Sequence, residues 1–312
     1  MTPLRSALLW ASRNRWLRAS VPRWPFVRRA TRRFMPGEDL AVALAAADRL
    51  RADGVGVWLT HLGENLTSLA EAQAVTDHYV DALRQVAQAG LRAEISVKPT
   101  QLGLDLDAAV TLAHARRLAA SQAEAGGMLW LDMEDHTYVD GTLALVRTLR
   151  DDGAVVGVCL QAYLRRTAAD LEALAGSGIG VRLVKGAYAE PAAVAFPAKR
   201  DVDLNFLALA ARMLELSRGR NGPRTAFATH DIGLLERIAA LADGAGISRA
   251  SYEIGMLYGI RSAELRRFAR AGHEVRCLIA YGTAWYPWYM RRLAERPANV
   301  LFVLRQLVPG RR

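Results

Sequence analysis

The feature that most limits the fold of this chain is a regular alternation of short β-branched runs with longer amphipathic stretches. Eight such runs follow one another from about Arg49 onward, and each has the length of a strand. They are VGVWLT (55–60), AEISVK (93–98), MLWLDM (128–133), VVGVCLQA (155–162), GVRLVKGA (180–187), TAFATH (225–230), ASYEIGM (250–256) and VRCLIA (275–280). Strands that alternate with helices pair in parallel, and eight such units match the size of a closed (β/α)8 barrel.

The sequence therefore predicts an α/β fold, a (β/α)8 TIM-like barrel with a basic helical N-terminal arm and a C-terminal helix over the barrel mouth. The arm covers residues 1–48, and the barrel covers residues 49–312, including the last helix at 284–297. Two amphipathic stretches, 105–125 and 201–216, begin with Asp105 and Asp201, which predicts an aspartate N-cap at each. No apolar run approaches the ~20 residues that a membrane-spanning helix needs.

The positive charge of the chain is concentrated in the arm. The formal net charge is +10, but nine arginines and no acidic residue precede Glu38, so the remainder carries 32 of the 41 basic residues against 31 acidic ones. Within the arm, arginines are interleaved with Trp10, Trp16, Trp24 and Phe26, a composition typical of segments that lie on anionic membranes. Packing of the arm on the barrel and an organelle presequence are open alternatives. The near-neutral remainder argues against nucleic acid as a partner.

The two cysteines, Cys159 and Cys277, lie within the apolar runs VVGVCL and VRCLIA. Their surroundings favour buried core thiols in a reducing compartment, with no disulfide between them. Neither is expected to be a nucleophile.

Polar residues close most of the predicted strands, where barrel enzymes carry their active sites. They include His61, Lys98, Asp132, Glu134, His136, Gln161, Lys185, Thr229, His230 and Tyr281. The chain has only three lysines among its 41 basic residues; Lys98 and Lys185 close strands, and Lys199 is expected just before the fifth helix. Because arginine serves wherever a generic cation suffices, these lysines indicate positions that need a compact ammonium group.

The residues alone leave the chemistry of this site open. Asp132, Glu134 and His136 alternate and could, with His230, bind a metal in a hydrolase or lyase. Against a metal, the strand is expected to end near Asp132, and Asp135 is placed to cap a helix, so we expect none. A Schiff base on Lys185 is a further option, although nearby Arg182 and a glycine-rich turn favour contact with an anion or a cofactor. A membrane-surface or nucleic-acid binding module driven by the arm is the non-enzymatic alternative.

Seven segments, in the expected order, resemble the flavin-dependent proline dehydrogenases in their short monofunctional form. They are ISVKPTQLGL (95–104), LWLDMED (129–135), CLQAYLRR (159–166), RLVKGAY (182–188), FATHD (227–231), YEIGMLYG (252–259) and YGTAWYPWYMRRLAERPANV (281–300). The resemblance runs from about Phe34 to Val303. It implies a distorted (β/α)8 barrel that holds FAD, oxidises L-proline to 1-pyrroline-5-carboxylate and passes electrons to a membrane quinone. A quinone in the bilayer would give the basic arm a task, so we expect a cytoplasmic protein that contacts the inner membrane face peripherally.

The resemblance also implies roles for individual residues. Asp132 and Arg182 would be catalytic, with Arg182 near the flavin N5 and Asp132 paired with Lys98 beside the substrate. The other FAD-binding residues would be Met133, Gln161, Lys185, Gly186, Ala187, Thr229 and His230. The other substrate-binding residues would be Tyr188, Leu257, Leu278, Arg291, Arg292 and Glu295, in which the two arginines bind the carboxylate and Glu295 holds them.

Three residues depart from the family pattern. Leu278 stands where a tyrosine usually packs over the proline ring, Ala280 replaces a proline, and Gly255 replaces a glutamine in the seventh strand. Loss of the tyrosine implies a larger and more apolar pocket. Hydroxyproline or another cyclic imino acid is therefore an alternative substrate.

Overall fold

Eight parallel strands form a closed barrel, in the order in which they occur along the chain. The structure is a computed structural model and describes residues 14–21, 24, 31, 34–63, 66–218, 222–286 and 289–290. The strands are β1 (Gly56–His61), β2 (Ala93–Val97), β3 (Leu129–Leu131), β4 (Val156–Gln161), β5 (Gly180–Val184), β6 (Thr225–Ala228), β7 (Tyr252–Leu257) and β8 (Glu274–Tyr281). Pairing of β1 with β8 closes the barrel. The predicted α/β barrel and all eight of its strands are confirmed.

β3 is shorter than predicted at both ends. It ends at Leu131, two residues before the predicted end, so Asp132 lies just beyond it. The Asp132 N–H still donates to Val97 O at 2.8 Å, which keeps this residue at the edge of the barrel. Asp135 then caps a short 3₁₀ turn by accepting a hydrogen bond from the Thr137 N–H, as predicted.

Helices connect the strands on the outer side of the barrel. Within the described residues they are α1 (Arg15–Ser20), α2 (Leu40–Ala52), α3 (Leu69–Gln88), α4 (Ala108–Glu124), α5 (Val139–Asp151), α6 (Thr167–Leu174), α7 (Lys199–Leu216), α8 (Ile232–Gly244) and α9 (Ser262–Arg270). α1 precedes β1 and belongs to the arm.

Both predicted aspartate caps are wrong. The N-cap of α4 is Asp107, whose side chain reaches the Val110 N–H, whereas Asp105 accepts a hydrogen bond from the Tyr138 hydroxyl at 3.1 Å. α7 begins at Lys199, so this lysine is helical and does not precede the helix. Asp201 lies in the first turn of α7, where a carboxylate still interacts favourably with the helix dipole.

The larger apolar core lies between the outer face of the barrel and the helices. Leu59, Ile95 and Phe227 of the strands are fully buried and belong to one cluster with Leu118 and Phe206 of the helices. Because most strands are buried on both faces, their sequences are nearly continuous apolar runs. This property made them recognisable without strict alternation.

Two tryptophans occupy the interior of the barrel. Trp58 of β1 and Trp130 of β3 meet edge to face at 5.8 Å, and Met128 and Ala226 complete their cluster. Glycines on neighbouring strands make room for these rings. A Cβ at Gly157, for example, would lie 2.7 Å from the Trp130 ring. The interior is therefore packed with side chains below the strand ends.

Two glutamates and two arginines close the amino-terminal end of the barrel. Arg224 donates to Glu94 (2.5 Å) and to Glu253 (2.6 Å), and Arg276 donates to Glu253 at 2.7 Å and lies 3.2 Å from Glu94. Glu94 also accepts from both interior indole N–H groups. Burial would raise the pKa of Glu94, but the two arginines lower it on balance. Both interior tryptophans are thus hydrogen-bonded to this cluster of Glu94, Arg224, Glu253 and Arg276, which forms the floor of the barrel.

A second apolar cluster joins the arm to the residues that follow β8. Phe34 and Met35 are buried with Trp285, Tyr286 and Tyr289, among others, and Leu17 and Val21 pack against this cluster. Phe34 and Tyr289 lie 5.9 Å apart, and the Trp285 indole donates to Glu38 at 2.8 Å. Part of the arm therefore packs on the barrel.

The C-terminal residues of the predicted site, Arg291, Arg292 and Glu295, lie outside the described residues, as does most of the predicted last helix. Helical conformation is present at 285–286 and 289–290. Among the described residues, no helix combines the length and the apolar character that crossing a membrane requires.

Candidate active site

Arg182 of β5 lies at the centre of the polar site near the carboxyl ends of the strands. Its side chain is buried and forms an ion pair with Asp132, with 2.5 Å between Nη2 and Oδ1. The same nitrogen donates to Ser96 Oγ at 2.6 Å, and Nε donates to Cys159 Sγ at 2.9 Å. Ser96 also donates to Asp132 at 2.7 Å. β2, β4 and β5 and the residue after β3 thus converge on one guanidinium group.

Cys159 is a buried, free thiol, as predicted, but it is not only a core residue. Its Sγ contacts both Arg182 and, at 3.5 Å, Asp132. Burial raises the pKa of the Cys159 thiol to about 12, so it remains protonated and acts as a polar neighbour rather than as a nucleophile. Arg182 and Cys159 are register partners on adjacent strands. That pairing could not be read from the sequence before the strand register was known.

Ser96 was also missed by the sequence reasoning. It lies two residues before Lys98 on β2, so the period of two that governs strands places it on the same side as that lysine. Alternation along β2 could therefore have identified Ser96, whereas a rule that considers only the residues at strand ends could not. Lys98 itself is half-buried directly after β2. Its predicted pairing with Asp132 stays a prediction, since the partner observed for that carboxylate is Arg182.

The charge of Arg182 is stabilised inside the barrel. Burial opposes a positive charge, but the Cys159 and Asp132 side chains more than offset this and raise the pKa of Arg182. The guanidinium carbon also lies 4.5 Å from the ring centre of Trp58 and 5.1 Å from that of Trp130. A cation held by one carboxylate and two aromatic faces is a fixed source of positive potential.

Two polar atoms of the site are buried without a hydrogen-bond partner among the described residues. They are Nη1 of Arg182 and Oε1 of Gln161. The Gln161 amide nitrogen is engaged with the carbonyl oxygens of Met133 (3.3 Å) and Glu134 (3.1 Å), so its carboxamide is fixed with the oxygen free. Unpaired buried polar atoms are costly. One donor and one acceptor are therefore available to a ligand at this end of the barrel.

The chain turns sharply after β5. Gly186 has φ +106°, and a Cβ there would overlap the ring of Tyr163. The Tyr163 hydroxyl donates to Glu190 at 3.1 Å, and the same carboxylate binds both the backbone N–H and the ring of His136. Glu190, whose side chain is 2% exposed, therefore ties together the segments after β3, β4 and β5. Ala187 and Tyr188, which follow the turn, are half-buried.

Lys185 lies in a cluster of four charged side chains. Its ammonium group donates to Asp203 (2.5 Å) and Asp231 (2.8 Å), and Lys199 pairs with the same two carboxylates. Burial would raise the pKa of both aspartates, but hydrogen bonds from the lysines lower it on balance. Two of the three lysines are thus brought together, and the ammonium group of Lys185 is already neutralised within the protein.

Thr229 and His230 lie at the end of β6, next to β7. The Thr229 N–H donates to Gly255 O at 3.2 Å, and His230 Nε2 accepts from the Leu257 N–H at 3.0 Å. Nε2 is therefore the unprotonated nitrogen when the His230 ring is neutral. Leu257 is half-buried, and so is Leu278, which packs against the cluster of interior tryptophans.

His61 and Tyr281, two of the polar residues expected at the site, face the helices instead. The His61 ring lies 4.4 Å from that of His78 on α3, and His78 Nε2 is 2.9 Å from the Tyr281 hydroxyl. Burial and the neighbouring His78 lower the pKa of His61 to about 4. Both residues are last in their strands, where alternation points them outward.

The side chains proposed for a metal site are not brought together. Asp132 pairs with Arg182, the Glu134 carboxylate accepts from Thr100 Oγ1 at 2.9 Å, and His136 binds Glu190. Within the described part of the chain, no group of three or more potential ligands is arranged to hold a metal ion. Separate partners for each of these side chains explain why their alternation in sequence does not become a ligand set.

Comparison with known proteins relates this barrel to one family. A family model described as Proline dehydrogenase matches residues 43–305. Proline dehydrogenase 1 of Bacillus subtilis is 35% identical over 305 residues, which cover 98% of this chain and 99% of the relative. Proline dehydrogenase of Deinococcus radiodurans is 38% identical over 283 residues, or 89% of this chain and 90% of the relative.

Solved structures with a similar fold belong to longer proteins. Proline utilization A from Bdellovibrio bacteriovorus, inactivated by N-propargylglycine, superposes with a TM-score of 0.80 at 23% sequence identity. The match covers 86% of this chain but 33% of that protein, so the chain spans about a third of the proteins whose structures it resembles. At this identity the likeness concerns the fold alone.

Proposed function

The chain belongs to the proline dehydrogenase family, and from that premise we propose that it oxidises L-proline to 1-pyrroline-5-carboxylate with FAD as cofactor. The observation that carries the proposal is the ion pair between the buried Arg182 and the partly buried Asp132 at the strand ends of the barrel. Active sites of (β/α)8 enzymes occupy this face. A fixed positive charge there suits a reaction in which electrons enter a cofactor ring.

The residues present fit a flavin on the chemistry of their donors and acceptors. Nη1 of Arg182 is an unpaired donor and Oε1 of Gln161 an unpaired acceptor, both of them buried. The edge of a flavin ring offers carbonyl oxygens, ring nitrogens and an N–H group, which can pair with both. We propose that Met133, Lys185, Gly186, Ala187, Thr229 and His230 also contribute to this site. Lys185 would act there through the cluster with Asp203 and Asp231 that fixes its position.

FAD, when bound, supplies the redox chemistry by accepting a hydride from the substrate ring carbon. The tasks of the protein are then orientation and control of charge. Arg182 would hold a positive charge beside the cofactor, and Asp132 and Ser96 would fix its direction. Lys98 would keep the substrate amine in its neutral, reactive form, because a nearby cation lowers the pKa of an ammonium group.

We assign substrate binding to residues of the barrel strands and the segments that follow them, and to the C-terminal segment. Arg291 and Arg292 would bind the carboxylate in a bidentate manner, and Glu295, four and three residues further on, would hold them. Tyr188 and Leu257 would line the pocket. Leu278 would leave room for a ring substituent, but as an apolar wall it would offer no hydrogen-bond partner to a ring hydroxyl group. We therefore propose L-proline as the preferred substrate over hydroxyproline.

Spectroscopy of the purified protein tests the proposal. We expect a flavin absorption spectrum that is bleached by L-proline under anaerobic conditions, because hydride transfer reduces the flavin. Trans-4-hydroxy-L-proline should bleach it more slowly at equal concentration. A colourless protein with a stoichiometric divalent metal, or a flavin that L-proline does not reduce, would refute the function. Faster reduction by hydroxyproline would refute the substrate preference alone.

We further propose that the electrons pass to a quinone in a membrane and that the arm contacts the membrane surface. Trp16 is 66% exposed and Trp24 is 41% exposed, although Leu17 and Val21 of the same segment pack inward. The nine arginines of this segment would meet anionic headgroups. Packing on the barrel and membrane contact thus use different residues of one arm.

Replacing Trp16 and Trp24 together by alanine is expected to weaken binding to vesicles that contain phosphatidylglycerol by about tenfold, since two interfacial indoles are lost. Co-sedimentation with the vesicles measures the effect. The control is Leu204→Ala, which removes another apolar side chain that is 52% exposed but lies on α7. Equal binding by the double variant and the wild type would contradict a role of the arm at the membrane.

A further inference from the structure

The guanidinium group of Arg182 rests on an aromatic face that none of the residue roles assigned above includes. Trp58 of β1 is 1% exposed, and its ring centre lies 4.5 Å from the guanidinium carbon. The Trp58 indole N–H donates to Glu94 on the barrel floor at 3.2 Å, which fixes the orientation of the ring. The Trp130 ring meets Trp58 edge to face at 72°. The Trp58 ring is thus held by the hydrogen bond of its N–H to Glu94 and by the edge-to-face contact with Trp130.

Gly255 of β7 provides the space that the Trp58 ring occupies. A Cβ at Gly255 would lie 2.6 Å from Cζ3 of Trp58, closer than real Cβ contacts, and 3.0 Å from Cη2, which is itself a tight contact. The φ of Gly255 is not in the left-handed region, so backbone conformation does not require glycine there. Volume does require it. The large residue on β1 and the missing side chain on β7 therefore form one complementary pair.

Leu278 of β8 belongs to the same arrangement, since it packs against the cluster of Trp58 and Trp130. The residues at 58, 255 and 278 come from three consecutive strands around the closure of the barrel. Of these three residues, Trp58 presents its ring to the guanidinium group, while Leu278 and Gly255 surround that ring. Arg182 has its polar partners, Ser96, Asp132 and Cys159, on other strands.

We propose that Trp58 is a positioning residue for Arg182 and that Gly255 serves this role by accommodating the indole ring. The proposal rests on the proposed function, because it concerns the charge that Arg182 presents to the flavin. The hydrogen bonds to Ser96, Asp132 and Cys159 use Nε and Nη2 and hold one edge of the guanidinium group, while Nη1 has no partner among the described residues. The aromatic face supports the guanidinium plane by attraction to the cation and by contact.

Two substitutions at Trp58 distinguish the contribution of its aromatic face from that of its indole N–H. Trp58→Phe keeps an aromatic face and loses the donor to Glu94, whereas Trp58→Leu loses both. We expect Trp58→Leu to lower kcat for L-proline by about tenfold with KM changed by less than about twofold. The flavin midpoint potential should become more negative, because a less ordered cation stabilises the reduced cofactor less. Trp58→Phe should retain kcat within about threefold.

A double-substitution cycle tests the pairing with Gly255 by thermal unfolding, without use of activity. Gly255→Ala should lower the Tm of the wild-type protein by about 5–10 °C, because the methyl group pushes against a fixed ring. In the Trp58→Leu background the same substitution should lower Tm by less than about 2 °C, since the shorter side chain leaves room. Equal losses in both backgrounds would overturn the pairing.

Two results would overturn the positioning role. One is a Trp58→Leu protein that folds, binds FAD and keeps both the kcat and the midpoint potential of the wild type. The other is an equal loss of kcat in Trp58→Phe and Trp58→Leu, which would assign the effect to the hydrogen bond with Glu94. Failure of the proposed function is seen separately, in a wild-type protein whose flavin L-proline does not reduce.

Discussion

Replacing Gly186 by alanine is expected to lower the free energy of unfolding by about 3–5 kcal/mol and to abolish retention of FAD. Two costs add at this position. A φ of +106° is strained for any residue with a Cβ, and the new methyl group would overlap the Tyr163 ring. That ring cannot easily move, because its hydroxyl binds Glu190 and its backbone binds Lys185 O and the Phe196 N–H. Chemical denaturation followed by circular dichroism, with the flavin content of the purified protein, measures both effects.

Gly246→Ala is the matched control. Gly246 also has a positive φ, +68°, but a Cβ there would meet nothing within 4 Å. Its cost should be about 1 kcal/mol, from the backbone alone. Gly186→Ala in a Tyr163→Ala background should recover the steric part and keep the backbone part. If Gly186→Ala costs no more than the control, the contact with Tyr163 does not constrain this turn.

The barrel could be predicted because its strands are buried on both faces. Runs such as VVGVCL need no alternation to be recognised, and the amphipathic stretches between them fix parallel pairing. The predicted ends of the strands were less accurate. β3 ends two residues earlier than predicted, and Asp132, just beyond it, pairs with Arg182, a partner 50 positions away. Local patterns contain no information on such a partner.

The predicted N-cap of α4 was wrong for a related reason. The segment from Asp105 to Asp107 offers two aspartates, and either could begin α4 on local grounds. A hydrogen bond from Tyr138, which comes after the next strand, engages Asp105 and leaves Asp107 as the cap. Competition between local and long-range partners decides the boundary.

At the site, too, the sequence predicted where residues lie along the barrel but not which side chains they contact. The strand-end rule placed Lys98, Asp132, Gln161 and Lys185 at the carboxyl ends of the strands, where the structure has them, because that rule depends only on strand direction. It did not reveal that Cys159 touches the central ion pair. It also assigned His61 to the site, although the alternation of β1 turns that ring toward α3. Contacts across strands follow from register, which a single sequence does not specify.

Charge within the barrel is arranged in two layers. Glu94, Glu253, Arg224 and Arg276 form a balanced floor at the amino-terminal end. The Arg182–Asp132 pair forms the upper layer, and the interior tryptophans lie between the two. A low-polarity partition strengthens electrostatic interactions on each side of it. The arrangement therefore gives Arg182 more influence on a ligand than a solvent-exposed arginine would have.

Arg182→Lys is accordingly expected to lower kcat for L-proline by about 10²–10³-fold, although it preserves the formal charge. The guanidinium group reaches Cys159 through Nε and both Ser96 and Asp132 through Nη2, while its face lies on Trp58. An ammonium group is a single point and cannot make this set of contacts together. Steady-state kinetics with L-proline and an artificial electron acceptor, normalised to flavin content, measures the loss.

Arg212→Lys is the control for the change of residue type. Arg212 also contacts a carboxylate through two nitrogens, at 2.6 and 2.9 Å from Glu172, but its side chain is 43% exposed on α7. Exposed pairs contribute little, so kcat should stay within about twofold of the wild type. An Arg182→Lys protein that binds FAD and keeps more than about a tenth of the wild-type kcat would show that charge alone is enough. In that case the fork geometry of the guanidinium group, and with it the positioning by Trp58, would not determine the rate.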